Sequence, residues 1–305
     1  MKGIRNITLL GVLALTLSAG LVAADGKPGY KGTAACRMCH QAMHKPIVEG
    51  HAKTAHPKAL QKADGSIADF ASNTAFTKEK VAFVLGKGRN EQAFIGASFR
   101  VLPAVWDVKA KAWKPHGSTD GSTQCIGCHV TGYDPNTKTF SEMGVGCEGC
   151  HGPGAAHADK PSKETAPDLK KLSAKQQAMV CGQCHSAGKD PSGKFAFPVN
   201  FKPGVDLSSV FVDAKPTGPG PNQQYSEMLQ GKHGQMGMSC TTCHDPHGAA
   251  ASAKQLKKPV NDLCLGCHAG TIKDMATHAP GAPAGATCAT CHMPGGQHAF
   301  KSPGK

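Results

Sequence analysis

The sequence predicts a mostly irregular fold of short α-helices with one small β-rich insertion, organised around groups that are not ordinary side chains. Its 305 residues include 37 glycines and 21 prolines, but only 5% of them are aromatic. Such a chain buries too little apolar side-chain area to offset the entropy that it loses on folding. Something other than the side chains must therefore supply most of the core.

A five-residue pattern, C-x-x-C-H, occurs seven times and uses all 14 cysteines. In each copy two thiols can add to the vinyl groups of one haem, while the histidine becomes the proximal axial ligand of the iron. The copies, numbered motif 1 to motif 7 in chain order, are Cys36/Cys39/His40, Cys125/Cys128/His129, Cys147/Cys150/His151, Cys181/Cys184/His185, Cys240/Cys243/His244, Cys264/Cys267/His268 and Cys288/Cys291/His292. The sequence predicts seven covalently attached haems c, which would supply the missing core.

Paired cysteines also form disulfides and zinc sites, and both alternatives explain the pattern less well. A disulfide framework has no need of a histidine after every second cysteine. Zinc ribbons require pairs of C-x-x-C knuckles and belong mostly to reducing compartments. Haem attachment accounts for both residue types in every copy.

The N-terminus has the pattern of a secretory signal peptide. Lys2 and Arg5 precede an apolar run that ends in small residues just before Asp25, which predicts cleavage after residues 1–24. A membrane anchor is the alternative, but the run contains Thr16, Ser18 and Gly20 and ends at a good cleavage site. No other stretch approaches about 18 apolar residues. We expect a mature chain without a transmembrane segment, located in the periplasm or, alternatively, outside the cell or at its surface.

The formal net charge of +13 does not indicate nucleic-acid binding. Signal removal takes away Lys2 and Arg5, and each haem brings two propionates against a ferric core of about +1. The holoprotein is therefore expected to be near neutral. The lysines are scattered and lack interleaved aromatic residues, so no nucleic-acid partner is expected.

The spacing of the motif histidines divides the chain into segments. The expected division is a signal peptide over 1–24, a haem 1 segment over 25–59, a β-rich insertion over 60–124, haems 2 to 4 over 125–190, a proline- and glycine-rich wrapping segment over 191–232, and haems 5 to 7 over 233–305. Within the insertion, β-type composition occurs at 83–85, 94–102 and 105–108. The wrapping segment is expected to end in a short helix near Tyr225 to Leu229.

Nine histidines lie outside the motifs and are candidates for the sixth, distal position of seven irons. They are His44, His51, His56, His116, His157, His233, His247, His278 and His298. Methionine is the competing ligand and would raise the reduction potential. A histidine three to six residues beyond a motif cannot readily fold back to the far face of the same haem. His157 and His247 are therefore expected to reach neighbouring haems.

The sequence resembles the multihaem cytochrome c superfamily, which includes tetrahaem cytochromes of nitrifying bacteria and decahaem conduits of metal-reducing bacteria. The resemblance is carried by motif 1 with Gly50 and His51, by motif 3 with the following Gly-Pro-Gly, and above all by the doubled motif from His244 to His268. It implies that the distal ligands are His51, His157, His233, His247, His278 and His298. It leaves the seventh open among His44, His56 and His116.

Two functions fit these features. The first is an electron-transfer protein of anaerobic or extracellular respiration, with redox proteins or an outer-membrane conduit as partners and with a homo-oligomer or filament as a further possibility. The second is an oxidoreductase that acts on a nitrogen or sulfur oxyanion at one five-coordinate haem, where Arg100, His116 and Tyr133 could line a pocket. All seven motifs end in histidine, which favours electron transfer, and no catalytic residue is assigned.

Overall fold

The computed structural model describes residues 28–301 except 219, 249–251, 253 and 273. The predicted signal peptide over 1–24 lies outside the described residues. No helix in the described ranges is long and apolar enough to cross a membrane.

The helices are short, and the haem motifs lie on them or at their ends. In chain order they are α1 (Gly32–Met43), α2 (Lys45–Lys53), α3 (Gly121–Gln124), α4 (Ile126–His129), α5 (Cys147–His151), α6 (Ala155–Asp159), α7 (Ala174–Gly182), α8 (Gln224–Gln230), α9 (Lys232–Gln235), α10 (Val260–His268), α11 (Met275–His278) and α12 (Cys288–His292). A helical turn places the two cysteines of a motif and its histidine close together. In motif 5 a 3₁₀ turn over Cys240–Thr242 takes the place of the α-helical turn.

Five strands form an antiparallel meander between motifs 1 and 2. They are β1 (Leu60–Lys62), β2 (Phe83–Leu85), β3 (Glu91–Ile95), β4 (Ala104–Asp107) and β5 (Ala112–Pro115), hydrogen-bonded in that order. Two further pairs are much shorter: β6 (Val130–Thr131) with β7 (Glu142–Met143), and β8 (Gly188–Lys189) with β9 (Val212–Asp213).

Both faces of the meander are packed. Alternate residues of a strand point to opposite faces, so Phe83 and Ile95 join one apolar cluster while Val84 and Phe94 join another. The first cluster also contains Ile126 of α4, and the cysteines of motif 2 pack against it. The sheet thus forms a wall beside motif 2.

One fully buried amide, that of Gln92, holds the loop between β1 and β2 on the meander. Gln92 is 0% exposed; its Oε1 accepts the Ile67 N–H at 2.9 Å, and its Nε2 donates to the carbonyls of Gly65 at 3.1 Å and Gly86 at 3.4 Å. A buried amide is tolerated because its polar atoms find partners. Gln92 therefore fixes the loop that precedes β2 onto the sheet.

We expect Gln92→Leu to lower the free energy of unfolding by about 2 kcal/mol, because it leaves buried backbone groups without partners. Gln61→Leu is the control, since Gln61 is half-buried and donates to Gly86 alone. Guanidinium unfolding followed by tryptophan fluorescence measures the effect locally, because Trp106 and Trp113 both lie in the sheet. Equal losses in the two variants would contradict the assigned role of Gln92.

A second core lies between α7 and α8. Ser173 and Gln176 form a capping box that starts α7, and the helix ends within motif 4. Met179 of α7 packs with Leu207 and Phe211 from the wrapping segment and with Tyr225 of α8. The wrapping segment therefore contributes buried side chains beside motif 4. Its helix α8 includes Tyr225 to Leu229, where the sequence predicts a short helix.

Candidate haem-binding sites

Five motif histidines are oriented by a hydrogen bond from Nδ1. The acceptors are backbone carbonyls for His129 (Ala59, 2.9 Å), His151 (Pro167, 2.8 Å), His244 (Lys254, 3.0 Å) and His292 (Lys301, 2.9 Å), and the side-chain Oε1 of Gln224 for His185 (3.0 Å). A carbonyl oxygen only accepts, so each ring donates from Nδ1 and keeps a lone pair on Nε2. Metal-binding histidines are commonly oriented in this way.

Six motif histidines each face a histidine from outside the motifs. The ring centroids are separated by 6.1 Å in His40/His157, 6.2 Å in His151/His247, 6.3 Å in His185/His56, 6.1 Å in His244/His298, 6.0 Å in His268/His233 and 6.0 Å in His292/His278. Two imidazoles that bind one metal from opposite sides, with metal–nitrogen distances of about 2.0 Å, have ring centres roughly 6 Å apart. The spacing of the six pairs fits bis-histidine ligation of an iron.

These pairs join different parts of the chain. His157 follows motif 3 but faces motif 1, and His247 follows motif 5 but faces motif 3. His298 follows motif 7 and faces motif 5. Each of these histidines thus links two motifs, as the sequence predicts for His157 and His247.

Three of the nine candidates do not face a motif histidine at this spacing. His51 uses its Nε2 to donate to the Val145 carbonyl at 3.1 Å, which occupies the nitrogen that a ligand needs. His44 stacks on His40 with a shorter centroid distance of 5.2 Å. The His116 ring is exposed, and its Nδ1 bonds to Gly117. The structure therefore pairs His56, and not His51, with a motif histidine.

The remaining motif histidine, His129, has no such partner. All 16 histidines lie in the described ranges, and none has its ring centre about 6 Å from that of His129. Its Nδ1 hydrogen bond to Ala59 nevertheless orients it like the other motif histidines. Among the described residues, His129 is thus the one motif histidine that no second histidine faces.

Burial keeps many of these imidazoles neutral. It lowers the pKa of His56 to about 4, and it lowers the pKa values of His129, His244 and His298 below the ordinary value. Removal from water disfavours the charged form of a histidine. A neutral imidazole is the form that binds a metal ion, so these rings are ready for ligation at neutral pH.

Thiols of different motifs lie side by side, and their contacts show which motifs are neighbours. Three pairs are close enough to share a hydrogen bond, namely Cys36 with Cys147, Cys181 with Cys240, and Cys264 with Cys288. Two further pairs interact electrostatically without such a bond, namely Cys150 with Cys184 and Cys243 with Cys267. They place the motifs in the series 1–3–4–5–6–7. Motif 2 stands beside this series, because Cys128 contacts Cys184 of motif 4.

Three cysteines that the sequence assigns to haem attachment are not brought against a thiol of another motif in the described part of the chain. Cys39 is exposed, and Cys125 packs against the apolar cluster beside the meander. Cys291 is half-buried in the last turn of α12, and motif 7 joins the series through Cys288 alone, which is buried beside Cys264. Cys291 therefore lacks a neighbouring thiol such as Cys264 provides for Cys288. Its assignment to haem attachment depends on its position in the C-x-x-C-H pattern.

Two glutamates hold the first junction of the series. Glu148, inside motif 3, is 3% exposed and accepts N–H groups from Lys31 at 3.1 Å, Gly32 at 2.7 Å and Gly154 at 2.7 Å. Glu142 accepts the backbone N–H and the hydroxyl of Thr33, both at 3.0 Å. The start of α1 is thereby fixed onto motif 3.

The side-chain arrangement differs from disulfide and zinc sites. All 14 cysteines are free of disulfides. In the described ranges no three His, Cys, Asp or Glu side chains converge as a zinc site requires. Two thiols with one histidine, and a second histidine opposite, are instead the groups that a covalently attached haem uses.

The pocket suggested by Arg100, His116 and Tyr133 is not assembled. Tyr133 is buried, donates to the Ser122 carbonyl at 3.1 Å and lines a small cleft with Gly127 and Phe197. Arg100 and His116 are exposed and do not line this cleft.

Comparison with known proteins supports the haem interpretation. Residues 233–273 match the doubled CXXCH motif family, and residues 104–152 match the family of cytochrome c554 and c-prime. The chain is 31% identical over 182 residues to the dissimilatory sulfite reductase MccA of Wolinella succinogenes, which covers 52% of this chain and 23% of that protein. It is 29% identical over 198 residues to the polyhaem cytochrome OmcC of Geobacter sulfurreducens, which covers 59% of this chain and 21% of that protein.

A solved structure extends the similarity to nearly the whole chain. The outer cell wall cytochrome OcwA superposes with a TM-score of 0.69 at 24% identity, covering 90% of this chain and 80% of that one. At this identity the similarity shows a shared fold. The chain spans less than a quarter of the length of the two curated relatives. Together the matches support haem c as the cofactor, and the chain belongs to the multihaem c-type cytochrome superfamily.

Proposed function

We propose that this chain is a seven-haem cytochrome that carries electrons between redox partner proteins in the periplasm or at the cell surface. The observation that carries the proposal is that the thiols of six motifs lie near one another in the order 1–3–4–5–6–7. Every motif histidine of this series faces a second histidine. When bound, haem c supplies an iron that gains and loses one electron. The chain's own part is to hold these groups close together.

The histidine pairs also set the chemistry of the sites. Two imidazoles leave no coordination position for a substrate, and they give lower potentials than a histidine with a methionine. Distal histidines from other segments lock neighbouring motifs at fixed spacing. This arrangement suits electron transfer without a bound substrate.

The two ends of the series are the proposed exchange points. At motif 1, Cys39 is exposed and Met38, inside the motif, is 81% exposed. At motif 7, the His292 ring is oriented by the carbonyl of Lys301, and this hydrogen bond lies at the exposed surface. Redox proteins or an outer-membrane conduit would dock at these ends.

The test is to count the haems and to titrate them. Intact mass of the purified holoprotein is expected to show seven haems, and a spectroscopic redox titration should show bis-histidine haems that are reduced and reoxidised reversibly. Stopped-flow mixing with a small-molecule donor should reduce all of them. Fewer than seven haems, or haems that the donor does not reduce, would overturn the proposal.

The orientation of one proximal histidine, His185 of motif 4, can be tested by mutation. Its Nδ1 donates to the side chain of Gln224, whereas the other oriented motif histidines donate to backbone carbonyls. Gln224→Glu should make His185 more basic and lower the potential of that haem, and Gln224→Leu should raise it. The expected shifts are on the order of tens of millivolts, a small part of the roughly 0.8 V that axial ligation spans. Gln230→Leu, in the same helix with Nε2 bonded to the Pro216 carbonyl, is the control. Unchanged potentials in both Gln224 variants would exclude this positioning role.

A further inference from the structure

We propose that His233 raises the reduction potential of motif 6 above that of motif 5, so that electrons pass downhill from motif 5 to motif 6 and collect there. The inference rests on the electron-transfer function proposed above and gives that path a direction. It is carried by one buried ring nitrogen, Nδ1 of His233, which has no hydrogen-bond partner in the described part of the chain.

The six histidine pairs differ in how many of their Nδ1 atoms are hydrogen-bonded within the protein. Both rings of the motif 5 pair are bonded, His244 to the carbonyl of Lys254 at 3.0 Å and His298 to the carbonyl of Gly296 at 2.9 Å. Motifs 1, 3, 4 and 7 have at least one bonded ring each, namely His157 (Thr165 Oγ1, 3.3 Å), His151 (Pro167, 2.8 Å), His185 (Gln224, 3.0 Å) and His292 (Lys301, 2.9 Å).

Motif 6 is the exception within the described ranges, because neither His268 nor His233 has a ring nitrogen bonded to the protein there. His268 is exposed, so water can bond to its ring. The His233 ring lies against Phe300, with the two centroids 4.3 Å apart, and Phe300 in turn packs against the second core. A phenyl ring carries no oxygen or nitrogen acceptor. Packing thus closes Nδ1 of His233 to water without giving it a partner.

A hydrogen bond from Nδ1 changes how strongly an imidazole binds iron. The acceptor makes the ring more basic, which favours the ferric over the ferrous state and lowers the potential. Outer-shell partners of this kind typically change metal affinity by about 10- to 100-fold. The exposure of His268 acts in the opposite direction, because water stabilises the ferric charge. The contrast of two bonded rings at motif 5 with none at motif 6 is the larger effect.

The order of the motifs turns this difference into a direction. Motif 5 is next to motif 6 in the series, through Cys243 and Cys267, and motif 7 follows through Cys264 and Cys288. An electron that enters at motif 1 therefore reaches motif 6 by a downhill step, and its return to motif 5 is uphill. Motif 6 holds the electron beside the end at motif 7, where a redox partner would take it up.

The first test compares the two potentials in the wild-type holoprotein. NMR spectra of the haem methyl groups, recorded at successive stages of reduction, follow each haem separately. We expect the ratio of ferrous to ferric haem at equilibrium to be at least tenfold higher at motif 6 than at motif 5, which corresponds to about 59 mV for one electron. In the reduced protein with nitrogen-labelled histidine, the Nδ1–H proton of His233 should resonate upfield of those that are hydrogen-bonded.

The second test supplies the missing acceptor with Phe300→Asn. The backbone of Phe300 has a positive φ of 51°, which asparagine adopts more readily than most residues. We expect the ferrous-to-ferric ratio at motif 6 to fall about tenfold and the His233 Nδ1–H resonance to move downfield. Phe300→Leu, the matched control, adds no acceptor and should change the ratio less than twofold. Motif 5 should not change in either variant, because Nδ1 of His298 is already bonded to Gly296.

The outcomes separate this inference from the proposed function. A seven-haem chain in which motif 5 is reduced before motif 6 overturns the inference and leaves the electron carrier standing. Equal effects of Phe300→Asn and Phe300→Leu would also overturn it, since Phe300 would then act by packing alone. If neither variant folds, the wild-type spectra still decide, because a downfield His233 Nδ1–H proton would mean that the ring has an acceptor. A chain without haem at motif 5 or motif 6 overturns both proposals.

Discussion

Replacing Glu148 with glutamine is expected to lower the free energy of unfolding of the holoprotein by about 3 kcal/mol, because hydrogen bonds to a charged group contribute about 1.5–3 kcal/mol each and are not additive. The carboxylate accepts backbone N–H groups from three residues in a site that is almost closed to water. A glutamine offers one acceptor oxygen and turns an NH₂ group towards an N–H donor. The strain should be greatest where α1 meets motif 3.

Two measurements check this expectation. Denaturant unfolding followed by haem absorption gives the loss of stability, and hydrogen exchange shows whether the amides of Lys31 and Gly32 lose protection. Glu49→Gln is the matched control, since Glu49 lies on exposed α2 with Lys45 at 3.9 Å as its ion-pair partner. Such surface pairs contribute little. If both variants lose the same stability, Glu148 does not have the role described.

The local features of this chain could be predicted from sequence because they depend on neighbouring residues. The C-x-x-C-H pattern predicts the attachment sites by itself. Of the predicted β-type stretches, 83–85 is β2 and 105–108 lies mostly in β4, whereas only the first two residues of 94–102 lie in β3. The helix expected near Tyr225 is α8, which begins one residue earlier. In each case the residues that determine the structure are adjacent in the chain.

The pairing of the histidines is a different problem, because it depends on packing between distant segments. His51 and His56 are five residues apart, and either could have been the ligand. His51 lies in the last turn of α2, where its ring meets the Val145 carbonyl, whereas His56 follows the end of that helix and faces His185. Nothing in the local sequence distinguishes these positions. The path that the chain takes after α2 decides between them.

The order of the motifs could not be obtained from their spacing either. Motifs 2 and 3 are close in sequence, but residues of motif 3 contact motifs 1 and 4, and motif 2 contacts motif 4. The meander between motifs 1 and 2 separates them along the chain, while the Glu148 contacts bring α1 back to motif 3. Sequence spacing limits how far apart two motifs can be, and it does not determine which of them touch.

The central position of motif 4 predicts the largest effect on electron transfer. Its residues contact motifs 2, 3 and 5, so the double variant Cys181→Ser/Cys184→Ser should interrupt the series. We also expect a loss of at least about 4 kcal/mol in the free energy of unfolding, by comparison with the loss of a large buried aromatic side chain. That loss corresponds to a decrease in Tm on the order of 10 °C.

The matched control is Cys288→Ser/Cys291→Ser, which removes the last site of the series while leaving its other contacts in place. Intact mass should show six haems in each variant. After partial reduction, electrons in the control should redistribute within the molecule at a rate independent of protein concentration. In the motif 4 variant, redistribution between the two halves is expected to go through collisions, because no other thiol interaction joins motifs 1, 2 and 3 to motifs 5, 6 and 7 in the described part of the chain. The pairing of His151 with His247, which joins motif 3 to the segment after motif 5, is the remaining link that could bypass motif 4. The rate of redistribution in the motif 4 variant should therefore rise in proportion to protein concentration, and a concentration-independent rate would show that a second path bypasses motif 4.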